Sequence, residues 1–172
     1  MRHRLATLAC CSLVAIATTA GAQNPVTTSF RATLQRAQRN LVADAESMPA
    51  DKYGYKPTEA HLTFAQHMVH MGEFNDMMCA LIGGGAAPSR TKLDTSAPKD
   101  AIVARLRDSF ASCTSAVAGV DDAKLGDAIK LFGGDATRAA ALLILTGDWS
   151  DHYAVTATYL RLNGILPPTA KR

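Results

Sequence analysis

The sequence lacks any strong excess of charge, and aromatic residues make up only 6% of it. It carries 18 Lys and Arg against 15 Asp and Glu, and the basic residues form no block. Nucleic-acid-binding domains usually present a clustered basic surface. The composition therefore gives no reason to expect nucleic acid as a partner. It also argues against a charged anchor on a membrane surface.

The sequence also lacks the common catalytic motifs. It contains no HExxH, no ExxH pair of the kind found in di-iron bundles, no GxSxG and no GxGxxG. The glycine run Gly83-Gly84-Gly85 is not a phosphate-binding loop, because no strand is predicted before it and no Gly-Lys-Ser/Thr follows it. A catalytic role, if there is one, must come from residues brought together by the fold.

No apolar run is long enough for a membrane-spanning helix, and the run nearest the N-terminus has the pattern of a signal peptide. Arg2 and Arg4 precede the apolar segment 5–17, and Ala20-Gly21-Ala22 forms a small-x-small cleavage site. We expect residues 1–22 to be removed and residues 23–172 to form one exported domain, periplasmic or secreted. Removal changes the formal charge from 18 − 15 = +3 to 16 − 15 = +1.

Two cysteines remain after the predicted cleavage, Cys79 and Cys113. An even pair in an oxidising compartment is a candidate disulfide. The alternative is two separate buried thiols that behave as small apolar side chains. Neither cysteine lies in a CxxC motif, so a redox-active site is not expected.

Apolar residues recur at helical spacing in four stretches, and strand-like alternation is absent. The predicted helices run from Thr27–Ser29 to before Pro49, from Thr58–Glu59 to Ile82, from Lys99 to Ala118, and from a cap at Asp135 to Gly164. Residues 120–134 allow a short helix or an extended cover. We predict an all-α four-helix bundle, in which the long connection after helix two lets helix three run parallel to it.

The fourth helix carries two polar residues in the middle of its apolar stripe. Ala141, Leu145, Asp148, His152, Val155 and Tyr159 follow one another at steps of three and four, so they share one face. A buried carboxylate or imidazole is costly unless it is paired, hydrogen-bonded or bound to a metal. Asp148 and His152 therefore need partners from another helix.

Helix two offers such partners in His67 and His70. One of them, together with Asp148 and His152, would make a two-histidine, one-carboxylate site for zinc, iron, manganese or nickel. Helical projection alone favours His67, which lies nearer the middle of the apolar stripe. The alternative is an ordinary hydrogen-bonded network in the core with no metal.

The chain resembles the DinB-like (DinB/YfiT-type) superfamily of bacterial four-helix bundles, and in particular its exported members. The resemblance covers almost the whole mature chain, and its most specific segment is DHYAVTATYLRLNGILPP. The other matching segments are AESMPADKYGYKPT, TFAQHMVHMGEFNDMMCALI, SFASC and KLFGGDATRAAALLI. In this family a metal ligand lies six residues after the Phe of the TF pair, which is His70 here. The resemblance therefore implies His70, with His67 as the alternative ligand.

The resemblance implies His152 as a second ligand and, four residues before it, a third histidine. Asp148 stands in that place, so the sequence departs from the family pattern at one ligand. The family further implies an up-down-down-up bundle and, in some members, metal-dependent hydrolysis or thiol transfer on a small-molecule substrate. Tyr153, Glu73 or His67 could then supply a nearby polar group. The competing interpretation is a structural or ligand-binding bundle with a degenerate metal site; a homodimer is compatible with either.

Overall fold

The computed structural model describes residues 24–170, so the predicted signal peptide lies outside the described residues. Four long helices follow one another: α1 Pro25–Ser47, α2 Phe64–Gly83, α3 Lys99–Val117 and α4 Arg138–Leu162. Within the described residues, none of these helices is long and apolar enough to cross a membrane. The four predicted helices are confirmed, although the starts of α1, α2 and α4 differ from the prediction.

The expectation of an all-α fold is wrong in one place. Residues 120–134, predicted as a short helix or an extended cover, contribute a short 3-10 turn at Asp122–Lys124 and most of a β-hairpin. Its strands are β1 Ala128–Leu131 and β2 Gly134–Thr137, paired antiparallel with Leu131 opposite Gly134. The two-residue turn between them is unusual, because Phe132 has a φ of 51° and Gly133 a φ of 81°. Positive φ at both positions is the type I′ hairpin geometry, which usually selects Asn-Gly.

The start of α2 is fixed by a capping box. The Thr63 hydroxyl accepts a hydrogen bond from the Gln66 backbone N–H at 3.1 Å, and the Gln66 side chain accepts one from the Thr63 N–H at 2.7 Å. The predicted start at Thr58–Glu59 is therefore too early, and His61 lies exposed in the preceding connection. A similar correction applies to α4, which is capped by the Thr137 side chain, while Asp135 pairs with Lys130 across the hairpin.

All four helices share one hydrophobic core, and Trp149 of α4 lies at its centre. Its indole stacks on Phe30 of α1 at 5.7 Å and contacts Phe110 of α3 at 6.0 Å between ring centroids. Its Nε1–H donates to the Asn75 side-chain oxygen of α2 at 2.7 Å, so the buried polar atom is satisfied. The indole thus fixes α4 against the three other helices, and Asp148 immediately precedes it.

A disulfide and a set of ion pairs join α2 to α3. Cys79 and Cys113 are bonded, with 5.0 Å between their Cα atoms. Asp76 of α2 lies 2.6 Å from Arg105 of α3 and 3.0 Å from Arg90 of the connection between the helices. The long connection is therefore tied to the helix pair rather than extending freely from it.

Candidate metal centre

Three polar side chains from α2 and α4 converge on one point. His70 is on α2, and Asp148 and His152 are one turn apart on α4. One ligand atom from each residue can be chosen so that all three lie within 4.8 Å of one another. The structure therefore brings together the three residues that the family resemblance implied.

The Oδ1 atom of Asp148 is the centre of this group. It lies 3.4 Å from His152 Nε2 and 3.7 Å from His70 Nε2. Two ligands held about 2.1 Å from a tetrahedral ion would lie about 3.4 Å apart. These distances are close to those between the ligand atoms of a metal-binding group.

The second oxygen of Asp148 provides an independent test of whether a metal fits. Asp148 Oδ2 is buried and has no hydrogen-bond partner among the described residues. An unpaired buried carboxylate oxygen is costly, and a cation held by both oxygens of Asp148 would remove that cost. Two imidazole nitrogens and one carboxylate oxygen are a suitable donor set for zinc and for other divalent transition metals.

The electrostatics keep Asp148 ionised. Burial would raise the pKa of its carboxyl group, but hydrogen bonding and charge from the His152 and His70 rings outweigh burial and lower the pKa to about 2. The interaction with Asp148 in turn raises the pKa of His70 more than burial lowers it, and Glu73 acts in the same direction. A stable anion thus lies between the two rings at neutral pH.

The site opens to solvent on the side of α2. The His70 side chain is 43% exposed, whereas those of Asp148 and His152 are 19% and 15% exposed. The His70 ring stacks on Phe74 at 5.4 Å, and Phe74 stacks on the hairpin residue Phe132 at 6.4 Å. Two of the three candidate ligands therefore lie mostly within the protein, and the third, His70, lies at an aromatic edge that is accessible to solvent.

His67, the alternative ligand, lies outside the three-residue group and contacts it. Its Nδ1 atom is 3.0 Å from His152 Nδ1, and its ring meets the edge of Tyr159 at 5.5 Å. Burial, with the neighbouring histidines, lowers the pKa of His67 to about 4, so this ring is neutral at pH 7. His67 therefore contacts the opposite side of the His152 ring from Asp148.

Tyr153 and Glu73, the other polar residues considered from the sequence, are not part of the three-residue group. The Tyr153 hydroxyl is 2.5 Å from the Thr169 hydroxyl, and Glu73 is exposed on α2. Sequence reasoning missed Phe74 and Phe132 as neighbours of the site. Phe132 reaches the site from the turn of the hairpin. The Phe132-Gly133 dipeptide of that turn differs from the usual Asn-Gly composition, so the sequence did not indicate a hairpin there.

A separate groove of about 730 Å³ lies between α1 and α4. Ser29 and Thr33 line it on α1, and Leu143, Thr146 and Ser150 line it on α4. None of its lining residues belongs to the three-residue group. The groove and the candidate metal centre are therefore distinct features of α4.

The comparisons with known proteins agree with this architecture. Residues 33–155 match the DinB superfamily. No curated protein is similar enough to count as a match. A DinB-like protein from Bacillus subtilis has a similar structure, with 19% identity and a TM-score of 0.65; the alignment covers 84% of this chain and 99% of that one.

Two further solved structures show the same fold. A DinB-like protein from Bacillus cereus has 14% identity and a TM-score of 0.69, with 82% of this chain and 95% of that chain covered. A conserved protein from Enterococcus faecalis has 18% identity and a TM-score of 0.65, with 80% and 96% covered. At these identities the likeness concerns the fold.

Proposed function

Because the chain belongs to the DinB superfamily, we propose that it is an exported member that binds a divalent metal ion between α2 and α4. His70, Asp148 and His152 would hold zinc, nickel, iron or manganese. The observation that carries this proposal is the position of Asp148 Oδ1, within 3.7 Å of one nitrogen of each ring, while Oδ2 of the same carboxylate is buried and unpaired. We also propose the up-down-down-up helix order, which the long connection between α2 and α3 permits.

The reaction class that fits this site is metal-dependent hydrolysis or thiol transfer on a small molecule. A bound divalent ion would supply Lewis-acid activation of a water or of a substrate thiol. The chain's own residues hold the anionic carboxylate in place, keep two of the three ligands largely out of water, and leave His70 at the open edge. A small-molecule substrate would approach along that edge, beside Phe74 and Phe132.

Metal binding itself tests the proposal. Protein stripped with a chelator and titrated with zinc, nickel, iron(II) or manganese should take up one equivalent of at least one of these ions. The His152→Ala variant should lose that uptake, and His61→Ala should retain it, because His61 is an exposed histidine outside the group. Wild-type protein that takes up none of the four ions would rule the proposal out.

The alternative is a non-catalytic structural or ligand-binding bundle, and one observation favours it. Asp148 stands where the family has a histidine, and it already pairs with both rings. A degenerate site of this kind predicts no uptake by the wild type but uptake by Asp148→His, which restores the third histidine. Uptake by the wild type and its loss in Asp148→Asn would instead support a working carboxylate ligand.

A further inference from the structure

The contact between His67 and His152 constrains the protons on both rings. Their Nδ1 atoms are 3.0 Å apart, which is hydrogen-bonding distance. A single proton can lie between the two nitrogens, so one ring donates and the other accepts when both are neutral. The tautomer of one ring therefore sets the tautomer of the other.

The two nitrogens of His152 face different partners. Nε2 lies 3.4 Å from Asp148 Oδ1, in the three-residue group, and Nδ1 lies against His67. A nitrogen that binds a metal must be free of its proton, so ligation through Nε2 requires the remaining proton on Nδ1. That proton points at His67 Nδ1, which must then accept it.

We propose that His67 is a positioning residue and not a ligand: it accepts the hydrogen bond from His152 Nδ1–H when His152 binds metal through Nε2. This inference rests on the proposed metal site. In the metal-free protein the arrangement is reversed, with His152 Nε2–H directed at Asp148 and His67 Nδ1–H donating to His152. Metal binding moves the proton from Nε2 to Nδ1 on His152 and from Nδ1 to Nε2 on His67, so the pair neither gains nor loses a proton.

The surroundings of His67 suit a fixed acceptor. The residue is 7% exposed, and its ring packs at 83° against the Tyr159 ring. The Tyr159 hydroxyl donates to the Leu62 carbonyl at 2.9 Å, just before the capping box that starts α2. The ring of His67 is therefore held from both helices, and it restricts rotation of the His152 ring.

Nitrogen-15 NMR of histidine-labelled protein reads the tautomers directly. In the zinc-loaded wild type we expect a protonated Nδ1 and a metal-bound Nε2 on His152, and no metal-bound nitrogen on His67. In the metal-free protein we expect the proton of His152 on Nε2. A metal-bound nitrogen on His67, or a metal-bound Nδ1 on His152, would overturn the inference.

Matched variants test the same point through zinc affinity. His67→Phe keeps the ring but removes the acceptor, and it should weaken zinc binding by about 10- to 100-fold. His67→Asn places an amide oxygen near the position of Nδ1 and should stay within about threefold of the wild type. His61→Phe also removes a histidine beside the Tyr159 ring and should leave the affinity unchanged.

The outcomes separate this inference from the function on which it rests. If the wild type binds zinc, His152→Ala does not, and His67→Phe binds as tightly as the wild type, the metal site stands and the positioning role falls. If the wild type binds no zinc and none of the other ions, both fall. Circular dichroism of each variant shows whether it has folded, and the NMR test on the wild type needs no substitution.

Discussion

At the scale of single residues, Asp44 is a buried carboxyl group outside the candidate metal centre. It is completely buried on α1, and its Oδ2 atom is 2.7 Å from the Thr156 hydroxyl of α4. Its other oxygen has no partner among the described residues. Burial raises the pKa of this carboxyl group from 3.8 to about 7, although the Thr156 hydrogen bond and the Arg161 charge act against it.

Asp44 should therefore make the protein less stable as the pH rises. Between pH 3.8 and about 7 the folded state holds a proton that the unfolded state has released, so raising the pH through this window favours unfolding. At about 1.4 kcal/mol per pKa unit, the loss reaches at most about 4 kcal/mol at pH 8. The Asp44→Asn variant cannot ionise and should not show this loss.

Urea unfolding at pH 5 and pH 8 measures the effect. The drop in the free energy of unfolding between the two pH values should be larger in the wild type than in Asp44→Asn. Asp51→Asn, which removes an exposed carboxylate, should behave as the wild type. Equal drops in the wild type and Asp44→Asn would show that this carboxyl group is already ionised in the folded state at pH 5.

The residues of the candidate site were only partly predictable. The spacing of Asp148 and His152 identified the polar pair on α4, but helical projection favoured His67 on α2 over His70. Projection ranks residues by burial, and His67 is indeed the more buried of the two. His70 lies instead at the edge of the core with its side chain 43% exposed, so a ranking by burial alone does not select it.

At the scale of elements, the packing of α2 on α3 depends on a covalent link as well as on apolar contacts. The disulfide between Cys79 and Cys113 is completely buried and closes a loop with a sequence separation of 34 residues. A link of that length constrains the unfolded chain, which favours folding by about 2–4 kcal/mol. The connection between α2 and α3 lies within this loop.

Reduction should therefore lower the unfolding temperature of the wild type. A loss of about 2–4 kcal/mol corresponds to a decrease of several degrees in a domain of this size. Calorimetry with and without dithiothreitol measures it. The double variant Cys79→Ala with Cys113→Ala should have a lower unfolding temperature that dithiothreitol does not change. An unchanged temperature on full reduction of the wild type would contradict this account.

A helix could be predicted where its own apolar face determined it. A boundary could not be predicted where it depended on a residue far away in the sequence. The apolar stripe of α1 was clear, but its start at Pro25 depends on Asp122, whose carboxylate accepts from the Val26 and Thr27 N–H groups at 3.0 and 2.8 Å. The hairpin was missed because Phe132 occupies a turn position that asparagine usually fills. The hairpin leaves no local pattern in the sequence, whereas the start of α1 leaves one weak local signal, Pro25 at the first helical position.

At the scale of the whole molecule, the expected export determines where the disulfide and the metal site would operate. We propose that residues 1–22 are cleaved, and mass spectrometry of protein purified from a bacterial periplasm should find a chain that begins at Gln23. Replacing Ala20 and Ala22 by Arg places large side chains at the cleavage site and should leave the full-length chain uncleaved. A wild-type chain that keeps residues 1–22 in the cytoplasm would contradict the proposal.

The single tryptophan of the chain has a practical consequence for all of these measurements. Trp149 is 2% exposed, touches residues of α1, α2 and α3, and follows Asp148 directly. Its fluorescence therefore comes from a single indole that is shielded from water. The emission maximum should shift to longer wavelength when loss of any of these contacts exposes the indole to water. The protein thus contains an intrinsic optical probe, one residue from the candidate metal ligand, that reports assembly of the four helices without any added label.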